Sequence, residues 1–91
     1  LAGNLNEASR YYRRTLELDP DHSGAHFNLG NIFLTRRQFS YAESEFRKTL
    51  KLRPEFADAF EGLGQALDEQ GKQVEAEEAL NRARELEFKN P

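Results

Sequence analysis

The sequence predicts an all-α fold: an array of antiparallel helix hairpins, five helices in all. Three observations predict it. Residue types return every 34 positions, so that Leu29, Gly30, Ala42 and Phe46 become Leu63, Gly64, Ala76 and Leu80. Stepping back by the same interval turns Ala42 into Ala8, Phe46 into Tyr12 and Pro54 into Pro20. A fixed period that preserves small, large and helix-breaking positions means stacked copies of one unit. Within each copy, apolar residues recur at helical spacing and prolines close the unit.

Residues 1–18 read as the first helix. Asn6 is expected to cap its start, and Leu5, Ala8, Tyr12 and Leu16 fall on one stripe. Asp19-Pro20-Asp21 ends it, because proline lacks a backbone N–H and disfavours helix in the residue before it. Residues 23–36 form the second helix, with Ala25, Leu29, Ile32 and Phe33 inward. Gly30 lies inside it, where glycine costs about 1 kcal/mol relative to alanine. Close approach of Ala42 from the next helix would justify that cost. The third helix follows the turn Arg37-Gln38-Phe39, starts with a capping box between Ser40 and Glu43, and runs to about Leu52. Its inward residues are Ala42, Phe46, Thr49 and Leu50. Residues 57–70 repeat the glycine-bearing helix with Ala59, Leu63, Gly64, Ala66 and Leu67, and Gly71 supplies the turn. Residues 74–87 close the array with Ala76, Leu80, Ala83 and Leu86 inward. Val74 stands where the caps Asn6 and Ser40 stand earlier, so this helix should fray at its start.

Composition bounds the rest. Ninety-one residues make one domain at most. Such a chain buries about 65% of its unfolded surface, but a stacked array needs no central core, since each unit buries its apolar face on its neighbours. Methionine is absent, so the chain reads as a piece of a longer protein. Cysteine is absent too, which excludes disulfides, cysteine metal sites and thiol catalysis. No apolar run approaches the roughly 18 residues of a membrane span. The net charge of −3 is unevenly spread. Residues 1–54 carry nine Lys and Arg against six Asp and Glu, a balance of +3; residues 55–91 carry four against ten, a balance of −6.

The spacing of His26, Leu29-Gly30, Phe33, Ala42, Phe46 and Pro54, repeated by Phe60, Leu63-Gly64, Leu67, Ala76, Leu80 and Ala83, resembles the tetratricopeptide repeat. The resemblance covers the chain as a partial repeat over 1–22 and full repeats over 23–56 and 57–91. It departs at His26, where the family often has tryptophan, at Thr49, where alanine is usual, and at Phe88, where a closing proline would stand. Without that proline the last helix is expected to run on toward Pro91. The resemblance implies a right-handed superhelix whose first helices line a concave groove, and a non-enzymatic scaffold that binds a protein or peptide there. By register the groove residues are Phe27, Asn28, Asn31 and Leu34, then Asp58, Glu61, Gln65 and Asp68, with Gly24 and Gly62 among them.

The residues themselves agree with such a role. Phe27 and Leu34 are apolar yet off the inward stripe. Asn28 and Asn31 can grip a peptide backbone through paired donors and acceptors. Asp58, Glu61 and Asp68 favour a basic ligand. One subgroup of the family holds carboxylate tails with Lys and Arg; here Asp58 and Gly62 occupy those positions, so no such binding is expected. Arg10, Arg13, Arg14, Arg47, Lys48 and Lys51 make a basic outer strip, but nearby acids and the lack of interleaved aromatics argue against nucleic acid. His22 and His26, four residues apart, supply at most half a tetrahedral shell, so no metal is expected. No serine has a paired base, and no glycine-rich phosphate loop exists, so neither catalysis nor a cofactor is expected. The stripe Leu5, Ala8, Tyr12 and Leu16 has no preceding helix to cover it. It is the candidate for self-association, and a spacer role within a longer solenoid is the alternative function.

Overall fold

The computed structural model describes residues 2–89. It contains five helices: α1 (Ala2–Leu18), α2 (Ser23–Thr35), α3 (Phe39–Leu52), α4 (Ala57–Glu69) and α5 (Gln73–Lys89). Packing runs from neighbour to neighbour. Helix α1 packs on α2, α2 on α3, α3 on α4 and α4 on α5, while α2 also touches α4. The fold is an all-α helical repeat, with α2–α3 and α4–α5 as its two hairpins. Alanines make the close contacts: Ala25, Ala42, Ala59, Ala66 and Ala76 are buried between helices, with Leu63, Leu67 and Phe46 filling the space between them.

Phe46 is the largest side chain with no exposure. Its ring lies against both Gly30 and Gly62. A Cβ added to Gly30 would stand 2.7 Å from Phe46 Cε1, and one on Gly62 would stand 2.5 Å from Cζ. The glycine in α2 therefore makes room for an aromatic ring, not for Ala42 as the sequence had indicated. In the next repeat a Cβ added to Gly64 would stand 2.6 Å from the Leu80 side chain and 3.3 Å from the Ala76 carbonyl, so there glycine admits both the large residue and the alanine backbone that the sequence indicates. Gly62, assigned to the groove by register, packs against Phe46 and also lines one of the groove cavities.

The helix starts differ from expectation. Asn6 lies within α1 and caps nothing; its Oδ1 accepts from the Arg36 guanidinium at the end of α2. Ser40 is the second residue of α3, whose cap Gln38 makes no side-chain capping bond, so the Ser40–Glu43 box does not form. Val74 likewise lies inside α5, which begins at Gln73. A side-chain cap stands at α2, where His22 Nδ1 accepts from the Ala25 N–H at 3.0 Å. Glu43 is used elsewhere. It accepts from Arg47 at 2.9 Å, Gln70 at 2.9 Å and Lys72 at 3.2 Å, which ties α3 to the α4–α5 turn. Burial alone would raise its pKa, but these hydrogen bonds and the Arg47 charge outweigh burial and hold it below the ordinary carboxylate value.

Helix ends are better determined. Helices α2 and α4 finish in the same cap. Gln38 N–H donates to the Phe33 carbonyl and Arg37 N–H to that of Leu34, as Lys72 does to Leu67 and Gly71 to Asp68. This is the Schellman arrangement, whose turning residue adopts left-handed backbone. Gly71 does so at φ 78° and Arg37 at φ 60°.

One packing slot is filled in two chemically different ways. In the first hairpin His26 is buried, its Nε2 2.8 Å from the Pro20 carbonyl and its Nδ1 2.7 Å from Glu45. One repeat later the same positions hold Phe60 and Ala79, both apolar. A carbonyl only accepts, so Nε2 carries its hydrogen there.

Candidate peptide-binding groove

Helices α2 and α4 lie side by side, and two adjoining cavities open along them. The first, about 600 Å³, is lined by Asn31, Leu34, Thr35, Arg37, Phe39, Gln65, Asp68 and Glu69. The second, about 260 Å³, is lined by Phe27, Asn31, Asp58, Glu61, Gly62 and Gln65. Asn31 and Gln65 stand between the two and belong to both. Eight of the ten residues placed here by register, Gly62 included, thus line one continuous face; Gly24 lines neither cavity. Asn28 lines neither cavity and is half-buried.

Phe27 and Leu34 are less free than the sequence indicates. Both are half-buried and pack against the core. The Phe27 ring centroid lies 4.6 Å from that of Phe56 and 5.9 Å from that of Phe46. Arg53 stacks over the outer side of Phe56 at 4.2 Å. Phe27 therefore offers the groove one edge of a packed aromatic cluster, which fixes its position but leaves little of it to cover.

Charge is concentrated at one end. Carboxylate oxygens of Asp58, Glu61 and Glu87 lie within 4.8 Å of one another, all on exposed side chains. Among the described residues no Lys or Arg pairs with them. Like charges this close repel, and a cation brought between them relieves that repulsion. Glu87 joins this group because α5 runs on to Lys89 instead of stopping at a proline, an extension that the sequence had led us to expect at Phe88. Thr35, Arg37, Phe39 and Glu87 were not among the sequence-derived groove residues. For Arg37 a signal existed: it stands one repeat before Gly71.

His26 has both ring nitrogens engaged, and His22 caps α2. Half of the basic outer strip is tied down: Arg14 bridges Glu17, Arg47 bridges Glu43 and Glu75, and Lys48 bridges Glu45. Leu5, Ala8, Tyr12 and Leu16 are half-buried because α1 packs on α2, so they are not the open apolar stripe that was expected. The large exposed apolar side chains of α1 are Tyr11 and Leu18, at 68% and 74% exposure. No described helix is long and apolar enough to cross a membrane.

The chain can now be set beside known proteins. It is 31% identical to human Tetratricopeptide repeat protein 7B over 91 residues, all of this chain and 11% of that protein. It is 43% identical to human Tetratricopeptide repeat protein 6 over 53 residues, 58% of this chain and 10% of that protein. The chain thus spans about a tenth of the length of these relatives. Among solved structures, MamA superposes with a TM-score of 0.87 at 24% identity, over 94% of this chain and 50% of MamA, a likeness of fold. The family model described as Tetratricopeptide repeat matches residues 2–40 and 31–88. With its hairpins, its glycine slots and these matches, the chain belongs to the tetratricopeptide-repeat family, whose members act as scaffolds for protein–protein interaction.

Proposed function

We propose that this chain holds a basic, extended segment of a partner protein along the face shared by α2 and α4, without catalysing a reaction. The observation that carries this reading is the group Asp58, Glu61 and Glu87, three exposed carboxylates without a cationic partner among the described residues, at the end of a continuous groove. Burying a Lys or Arg among them gives charge-assisted hydrogen bonds. Asn31 and Gln65, midway along, can each give and take a hydrogen bond with a peptide backbone. Phe27 and Leu34 supply apolar contact on either side. The test is capture of partners by the wild-type chain and by a variant carrying Asn31→Ala and Glu61→Lys. Loss of the captured set supports the groove; an unchanged set would favour a spacer role within a longer solenoid.

A second reading rests on the ends. Tyr11 stands one repeat before Glu45, a position that in the next hairpin is packed against α2, yet Tyr11 is 68% exposed. At the other end Phe88 is 90% exposed. Exposed apolar side chains on both outer helices favour association of copies end to end, which continues an array rather than closing it. Light scattering across protein concentration tests this reading, and a monomer at all concentrations would reject it.

A further inference from the structure

We propose that the Phe39 ring and the Glu69 carboxylate form a pocket for a guanidinium side chain of the partner, and that the protein's own Arg37 occupies this pocket in the free chain. The proposal rests on the groove reading above and adds a second cation site at the opposite end.

The first argument is conformational. Helices α2 and α4 end in the same cap, and its turning residue must adopt positive φ. Gly71 meets that requirement without cost. Arg37 has a Cβ that crowds its own backbone there, and it lacks the short polar side chain that lets Asn or Asp tolerate the conformation. Strain of this kind persists at positions where the side chain has work to do.

The second argument is where the side chain goes. The guanidinium carbon lies 5.2 Å from the centre of the Phe39 ring, within the range of a cation–π contact. Its Nη2 lies 3.6 Å from Glu69 Oε2. All three residues line the larger groove cavity, with Asp68 beside them. One repeat later the positions of Arg37 and Phe39 hold Gly71 and Gln73, with neither cation nor ring. The arrangement is therefore peculiar to this end of the groove.

The third argument is that the resident cation is loosely held. At 3.6 Å its contact with Glu69 is too long for a hydrogen bond. The two side chains are 75% and 46% exposed, and pairs so exposed contribute little. An arginine from a partner, free of the tether to Arg37's own backbone, could lie on Phe39 and take Glu69 through both its N–H groups. Arg37 would then swing into solvent.

The experiment is titration of the isotope-labelled chain with N-acetyl-arginine amide, with N-acetyl-citrulline amide as the uncharged isostere. Arg37→Gly vacates the pocket and suits the backbone; Arg37→Asn is the second variant that tolerates positive φ. Both should bind the arginine probe about three- to fivefold tighter than wild type, with amide shifts at Phe39, Asp68 and Glu69. Citrulline should not compete, and adding Glu69→Gln should abolish the gain. Equal affinity of wild type and both variants, or shifts confined to Asp58 and Glu61, would overturn the proposal. The groove reading fails separately. If Glu61→Lys leaves partner capture unchanged while Arg37→Gly gains affinity, the pocket stands and the groove reading falls; the reverse pattern rejects the pocket alone.

Discussion

Phe46 and Gly62 share one space: a methyl group on Gly62 would stand 2.5 Å from Cζ of the Phe46 ring. Gly30 packs against the same ring, so a methyl group on either glycine would collide with it. This contact joins α3 to both first helices and sets their separation, and so sets the width of the groove.

Gly62→Ala should therefore destabilise the chain by about 1–3 kcal/mol, even though alanine is the better helix former by about 1 kcal/mol. Urea unfolding of Gly62→Ala, Phe46→Leu and the double variant checks this. The double variant should be more stable than the sum of the two losses, because leucine lacks the Cζ, Cε1 and Cε2 atoms that a methyl on Gly62 would meet. Simple additivity would show that the ring does not set the spacing.

His26 and Glu45 should behave as a unit. Glu45→Ala leaves His26 Nδ1 buried without its partner and should cost about 1–3 kcal/mol. Replacing both, as His26→Phe with Glu45→Ala, reproduces the pair Phe60 and Ala79 and should recover most of that loss. The midpoint of denaturant unfolding reads both. A double variant as unstable as Glu45→Ala would mean that the slot is not interchangeable between repeats.

Glu43 makes the fold sensitive to acid. Its folded-state pKa is below 4.5, its ordinary value. The stabilisation is therefore fully present above about pH 4.5 and is lost as pH falls through the lowered folded value. Glu43→Gln removes the titration and should flatten the loss of thermal stability as pH falls below about 4.5. An acid limb of unchanged steepness would assign it to other carboxylates.

Groove binding should depend on sign and salt. A peptide with two or three Lys or Arg should bind, and a peptide ending in consecutive acidic residues should not, since it would meet Asp58, Glu61 and Asp68. Raising ionic strength from about 0.05 M to about 0.5 M shortens the Debye length several-fold and should weaken the basic peptide markedly. Calorimetric titration separates these cases. Tight binding of the acidic peptide would reverse the reading of the groove.

Much of this architecture can be read directly from residue order. The period of 34 and the prolines at positions 20 and 54 give five helices with ends correct to one or two residues. Helix starts were harder, because Asn6 and Ser40 are good capping residues that the chain places inside helices, where α1 and α3 begin earlier. Gly30 was recognised as a contact point but given the wrong neighbour: a glycine marks space, and sequence does not say whether a methyl or a ring fills it. Register brought most groove residues onto one face. It could not find Glu87, which comes from a different helix and reaches the acidic group only through the length of α5. Arg37 was hidden for another reason: only the comparison with Gly71 reveals the backbone it must adopt.

The unlike fillings of the shared slot bear on how the chain avoids assembling incorrectly. Units built to one plan invite a helix to dock on the wrong mate. If α5 took the place of α3 against α2, His26 would face Ala79 and lose its carboxylate; if α4 took the place of α2 in the hairpin with α3, Glu45 would be pressed against Phe60 with no imidazole beside it. Either mispairing strands a polar group away from water, which is costly. The two pairs thus act as a lock and key between otherwise similar hairpins, directing each helix of the repeat to its own partner during folding.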